Sequence, residues 1–202
     1  MTPQRTRRLH ARAGASAVSL LVALSGCAQP SPETDSPYRE RFAQATAQAT
    51  SDFEREALSD GEISRSEYQE AIDRWVSCMQ TAGVEVSLSD QAGYYVYSVA
   101  GDMTQYDLSD ADCSTGTRAL IEPLYVDTLM NPGNEDPNAV LARCFVRIGA
   151  APEGFTATDL QRVMDDGGLS TIDPDDPTFD GYDLNPESNP QVVECLKNPS
   201  AR

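Results

Sequence analysis

Four cysteines, Cys78, Cys113, Cys144 and Cys195, set the tightest limit on what this chain can fold into. None belongs to a C-x-x-C pair, so neither a zinc ribbon nor a thioredoxin-like motif is indicated. A nucleophilic thiol needs a base beside it, and the one histidine of the chain, His10, lies in an N-terminal segment that reads as removable. With Cys27 set aside, the even number of cysteines in an exported chain reads as two structural disulfides. Four cysteines allow three pairings. The sequential one, Cys78–Cys113 and Cys144–Cys195, is preferred for two reasons. It joins the end of one helix to the next cysteine-bearing helix through the shorter closed loop in each half. It also follows an internal echo, because Cys78-Met79 and Cys144-Phe145 each stand before three residues and a glycine, Gly83 or Gly149. A distant duplication and a shared helix-ending device both produce such an echo.

Export is written at the N-terminus. Arg5, Arg7, Arg8 and Arg12 form a basic stretch without an acid, and an apolar run follows from Ala13 to Leu24. That run is too short to span a bilayer and fits a cleaved signal. Leu24-Ser25-Gly26-Cys27 then resembles the lipobox of bacterial lipoproteins. The resemblance implies a diacylglyceryl group on Cys27 and cleavage before it. Residues 1–26 are therefore expected to be a lipoprotein signal peptide. Residues 27–37, with Pro30, Pro32 and Pro37 and no large apolar residue before Tyr38, read as the lipidated cysteine and a semi-extended tether. The expected location is the outer face of the cell membrane, with the membrane as partner through the lipid.

Loss of residues 1–26 removes four of the 15 basic residues and no acid, leaving 11 against 32 acidic residues, a net −21. Such a chain is a poor partner for nucleic acid or an anionic lipid surface. Without histidine, Ser-His-Asp and Cys-His catalysis and His-ligated zinc or iron are excluded from the mature chain. No P-loop, G-x-G-x-x-G, G-x-S-x-G, S-x-x-K or H-E-x-x-H motif occurs. An apolar content of 40% and regular amphipathic stretches point to a folded domain over residues 38–202.

Periodicity predicts mostly helix. Phe42, Thr46, Ala49, Phe53 and Ala57 fall on one face of a helix over 38–58. Ser64 and Glu67 form a capping box for the next, whose stripe is Tyr68, Ile72, Trp75, Met79 and Ala82, ended by Gly83. These two helices are expected to pair as an antiparallel hairpin. Two alternating runs, 84–88 and 94–99, predict a β-hairpin with a loop of about five residues. Tyr95, Tyr97 and Val99 share one of its faces, where packing is preferred over sugar stacking. Residues 109–130 read as helical from a Ser109 cap, kinked or split at Gly116 and Pro123. Asp136-Pro137 opens a helix with Val140, Leu141, Cys144, Phe145 and Ile148 inward. Thr158 and Gln161 are expected to cap a short helix through Leu160, Val163 and Met164. Residues 165–188 form an acidic loop, and Asn189-Pro190 opens a last helix with Val192, Val193, Cys195 and Leu196.

Candidate chemistry is sparse. Glu56 to Glu67 has a faint EF-hand rhythm, but Leu58 stands where an oxygen ligand is required and Glu67 is already a cap. Asp173, Asp175, Asp176, Asp180 and Asp183 read as a solvated acidic loop, with weak calcium binding as the alternative. The lipobox, the Asp60-Gly61-x-Ile63-x-x-x-Glu67-Tyr68 helix start, the Cys-terminated helix and Asn131-Pro132 together resemble small, uncharacterised lipoproteins of actinobacteria. That resemblance implies no activity, cofactor or catalytic residue. The expectation is an α+β, mostly helical single domain with one β-hairpin and two disulfides. Its leading function is non-catalytic binding or envelope interaction. A carboxylate-dependent hydrolase and a weak calcium-binding surface module are the alternatives, and no cofactor is expected.

Overall fold

The computed structural model describes residues 36–172 and 181–201. Cys27, the signal segment, and Asp173, Asp175, Asp176 and Asp180 of the acidic loop lie outside them. The described chain is α+β: helices α1 (Arg39–Gln48), α2 (Asp52–Ala57) and α3 (Arg65–Thr81), strands β1 (Glu85–Gln91) and β2 (Tyr94–Ala100), then α4 (Met103–Ser114), α5 (Ile121–Met130), α6 (Pro137–Arg147), α7 (Ala157–Asp165) and α8 (Pro190–Lys197). Disulfides join Cys78 to Cys113 and Cys144 to Cys195, with Cα separations of 5.5 and 5.9 Å. The sequential pairing is therefore the one present.

Each half of the sequence gathers its own core around one disulfide. Tyr38, Phe42, Leu58, Tyr68, Ile72, Ile121 and Leu124 are buried together, and Trp75, Met79, Val84 and Cys113 extend this core under the β-hairpin. Farther along the chain, Cys144, Phe145, Leu160, Val163, Leu184, Val192 and Cys195 form a second cluster from α6, α7 and α8.

The Ser64–Glu67 capping box is present, and α3 buries Tyr68, Ile72, Trp75 and Met79. It ends in a Schellman motif, with Gly83 N–H bonded to Gln80 O and Val84 N–H to Met79 O. α6 ends the same way at Gly149 and Ala150. So does α7 at Gly167 and Gly168, in a helix with no cysteine. Helix capping alone thus accounts for the glycine of the internal echo.

Several expected elements differ. The helix over 38–58 is two helices, because Ser51 and Glu54 form a capping box that restarts the chain as α2. Buried Glu54 also accepts bonds from Thr50 N–H and Oγ1, at 2.8 and 3.1 Å. The break is held from outside, since Ser51 Oγ donates to Gly116 O at 2.7 Å. Gly116 has φ +75°, and a Cβ there would lie 3.4 Å from Ser51 Cβ, so a glycine suits both the backbone and the close approach. The expected α1–α3 hairpin is not the main packing: α3 lies chiefly against α4, α5 and β1. α1 is tied to α5 instead, where Tyr38 Oη donates to Asn131 O at 2.8 Å and Arg41 pairs with Asp127 at 2.6 Å.

Residues 109–130 are split near Gly116 as expected, giving α4 and α5. α4 starts earlier than expected, at an Asp102 cap, and Ser109 lies mid-helix, buried, accepting a bond from Gln105. The cap of α7 is Thr156 with Asp159, not Thr158 with Gln161. Met164 of α7 and Leu196 of α8 are among the exposed apolar residues. The hairpin loop has two residues, not five. Ala92 and Gly93, with φ of 53° and 101°, make the turn, and Gln91 pairs with Tyr94. Positive φ at both positions matches the type I′ turn that suits strand twist.

Candidate binding groove between the hairpin and α5

Alternation along the hairpin sets its two faces. Val86, Leu88, Tyr95, Tyr97 and Val99 pack toward the helices, while Glu85, Ser87, Ser89, Val96 and Ser98 are exposed. Tyr95 and Tyr97 are thus packing residues on the face expected for them.

The hairpin tip is clasped from below. Tyr68 stacks on Tyr125 at 4.1 Å between centroids, and on Tyr95 at 5.8 Å. Tyr68 Oη accepts from Tyr95 N–H at 2.9 Å, and Tyr125 Oη donates to Gly93 O at 2.9 Å. Arg65 donates to Gly93 O and Asp90 and lies over the Tyr95 ring. Burial pushes the Tyr68 hydroxyl well above the ordinary phenol range; Tyr95 N–H opposes that push, and nearby Glu122 adds to it. The phenol therefore stays protonated as a fixed strut.

Beside the clasp sits a charged hub. Arg118 donates to Asp110 at 2.8 Å, to Glu122, and to Tyr97 Oη at 3.1 Å. Its guanidinium lies 4.2 Å from the Trp75 ring centroid. Asp110 Oδ1 also accepts from Trp75 Nε1 at 2.8 Å and from Ser114 Oγ at 3.1 Å. Burial alone raises the Asp110 carboxyl, but the bond and charge of Arg118, with Trp75 and Ser114, hold it below the usual carboxylate range. Burial alone lowers Arg118, and its bonds to Asp110 and Glu122 override that and raise it. Both groups remain ionised across the working pH range. Arg118 Nε is buried without a partner among the described residues.

Above this support runs a groove of about 380 Å³, lined on one side by Tyr94, Tyr95, Val96 and Tyr97 of β2 and on the other by Glu122, Pro123, Val126 and Asp127 of α5. Its lining combines aromatic and aliphatic surface with two carboxylates. Glu122 is held by Arg118, and Asp127 by Arg41.

The other sequence candidates are placed elsewhere or dispersed. Leu58 is buried and Glu67 is committed to the Ser64 cap, so the Glu56–Glu67 stretch presents no ligand ring. Asp183 accepts bonds from Asn189 at the start of α8. Among the described residues no group of three or more His, Cys, Asp or Glu is arranged to hold a metal ion. Nor is any helix among them long and apolar enough to cross a membrane. Sequence reasoning did not single out Arg118, Asp110 and Glu122. Their spacing, four and eight residues apart, is a helical signal, and Gly116 reads as a break, but nothing along the chain shows that the break brings Asp110 of α4 onto Arg118 in the turn before α5. Comparison with protein-family models, with curated proteins and with solved structures finds no match.

Proposed function

We propose that this chain is a lipid-anchored binding protein of the cell envelope, held at the outer face of the membrane through Cys27, and that it engages its ligand in the β2–α5 groove without chemistry. The observation that carries this reading is the commitment of every charged group in and under the groove to a protein partner. Glu122 and Asp127 are ion-paired, and Asp110 is held ionised by three donors. A hydrolytic site requires the opposite, a carboxyl kept protonated by its surroundings and facing a second one across the substrate. The groove instead offers a rigid aromatic and aliphatic bed with polar edges, the usual composition of a recognition site. The basic N-terminus, the short apolar run and Leu24-Ser25-Gly26-Cys27 support the anchor.

A photo-crosslinking amino acid placed at Val96, which is 41% exposed at the groove, tests the reading in cells that lipidate the chain. The same group at Met164, exposed on α7, is the control. Adducts at Val96 and none at Met164 are expected. No adduct at Val96, or equal adducts at both, would overturn the groove as the binding site.

A further inference from the structure

We infer that the groove is a strand-addition site: an extended, basic peptide segment of a partner protein pairs with the free edge of β2. The inference rests on the groove being the binding site and names the class of ligand that fits it.

Among the described residues the sheet has two strands, so β2 has β1 on one side and no strand of these residues on the other. The two-residue turn makes Gln91 and Tyr94 the first hydrogen-bonded pair, and pairs alternate from there in an antiparallel ladder. Ser89–Val96 and Ser87–Ser98 therefore exchange bonds with each other. Asp90–Tyr95, Leu88–Tyr97 and Val86–Val99 do not, and the N–H and C=O groups of Tyr95, Tyr97 and Val99 point outward along the free edge. Tyr95 N–H is taken by Tyr68 Oη. Tyr95 C=O and both backbone groups of Tyr97 and Val99 have no protein partner among the described residues. The open edge thus begins where the Tyr68 clasp ends, and it runs beside the α5 wall.

Strand edges in soluble proteins are normally protected by charge, proline or a bulge. β2 reads Tyr-Tyr-Val-Tyr-Ser-Val-Ala, with no charge and no proline, and its register with β1 is unbroken over all seven positions. β1 carries Glu85 and Asp90. The undefended edge is the one that borders the groove. Main-chain pairing would supply affinity, and alternate side chains of the guest would meet Pro123 and Val126 or lie beside Val96 and Ser98.

Charge selects the occupant. Asp110 and Glu122 share the single guanidinium of Arg118, which leaves that cluster with one net negative charge beside the groove, while Asp127 farther along the wall is balanced by Arg41. The whole chain carries a net −17. A second copy pairing edge to edge would bring two such charges together, whereas a segment with Lys or Arg at alternate positions is drawn in.

The test pans a displayed random heptapeptide library on the full lipidated chain in nanodiscs. Enriched peptides are then synthesised with and without N-methyl groups on alternate backbone amides. Expected are β-branched or aromatic peptides with Lys or Arg, whose binding weakens by about tenfold or more on N-methylation in one of the two alternate frames. Amide exchange at Tyr97 and Val99 should slow on binding, while Val96, already paired with Ser89, is unchanged. Val99→Pro, which removes an outward N–H and no ladder bond, should abolish binding. The N-methyl comparison decides the matter even if that variant fails to fold. No enrichment, binding indifferent to N-methylation in both frames, or enrichment only of oligosaccharides on a parallel glycan array would overturn strand addition. So would a dimer of the purified chain with Tyr97 and Val99 amides protected. Adducts at Val96 alongside any of these results would leave the groove standing and remove only the strand; loss of the adducts would remove the groove itself.

Discussion

Replacing Asp110 should show how much of the stability under the hairpin depends on one carboxylate oxygen. Three donors converge on Asp110 Oδ1: Trp75 Nε1 and Arg118 Nη2 at 2.8 Å, and Ser114 Oγ at 3.1 Å. In Asp110→Ala the indole N–H of Trp75, a fully buried residue, is left without an acceptor. An orphaned buried donor costs about 1–3 kcal/mol, and a lost bond to a charged group about 1.5–3 kcal/mol. Arg118 keeps Glu122, so part of the second figure is recovered. The expected loss is about 3 kcal/mol, or about 6–12 °C in Tm for a domain of this size. Asp110→Asn retains an acceptor for Trp75 and loses only the charge, so about 1 kcal/mol is expected. The assay is urea unfolding followed by the emission of Trp75, the only tryptophan. The midpoint should move at constant slope. pH supplies an independent arm. The folded pKa of Asp110 lies below its unfolded value, so its contribution is complete above about pH 4 and is lost as pH falls through the folded pKa. The gap between wild type and Asp110→Asn should therefore close in acid. A loss under about 0.5 kcal/mol in Asp110→Ala, or a gap that widens in acid, would refute the reasoning.

Four further outcomes are expected. Removing either disulfide as a double Cys→Ala change, across separations of 35 or 51 residues, should cost about 4 kcal/mol, and because the bonds serve separate cores the two losses should add within about 0.5 kcal/mol in denaturant titrations. Cys78 is exposed whereas Cys144 and Cys195 are both buried, so alkylation mapping under mild reductant should find Cys78–Cys113 opened first; the reverse order would contradict the burial pattern. Ala92→Asn should stabilise the hairpin by about 0.5–1 kcal/mol, because Asn tolerates the left-handed turn position that Ala92 occupies at φ 53°; a lowered midpoint would reject the type I′ assignment. Mass spectrometry of the native protein should find an acylated Cys27 as first residue, with Cys27→Ser released from the membrane fraction and folded; an intact unacylated chain beginning at Gln29 would refute the anchor.

Much of the self-contained local chemistry was legible, although the equally local Ser51–Glu54 and Thr156–Asp159 boxes were not picked out. The Ser64–Glu67 box, the stripe from Tyr68 to Met79, the Asp136-Pro137 start and the Asn189-Pro190 start each depend on residues within a turn or two, and each is present. The disulfide pairing followed because it joins each cysteine-bearing helix to the next cysteine-bearing helix along the chain. The strand faces followed from a period of two, and one structured hairpin among helices gave the α+β class. Tertiary contact decided the rest. The break between α1 and α2 looked like continuous helix because the stripe from Phe42 to Ala57 kept its period; the bond from Ser51 to Gly116 makes the restart at Glu54 favourable. Ala92 is no turn former, and the clasp of Tyr68, Tyr125 and Arg65 on the hairpin tip holds the short turn that local propensity did not announce. The groove itself has no sequence signature. Its walls come from residues 94–97 and 122–127, and its carboxylates Asp127 and Glu122 are ion-paired by Arg41 and Arg118. A site of that kind exists only where separate segments meet, since the pairing of each charge depends on three-dimensional distance, which periodicity along the chain does not encode.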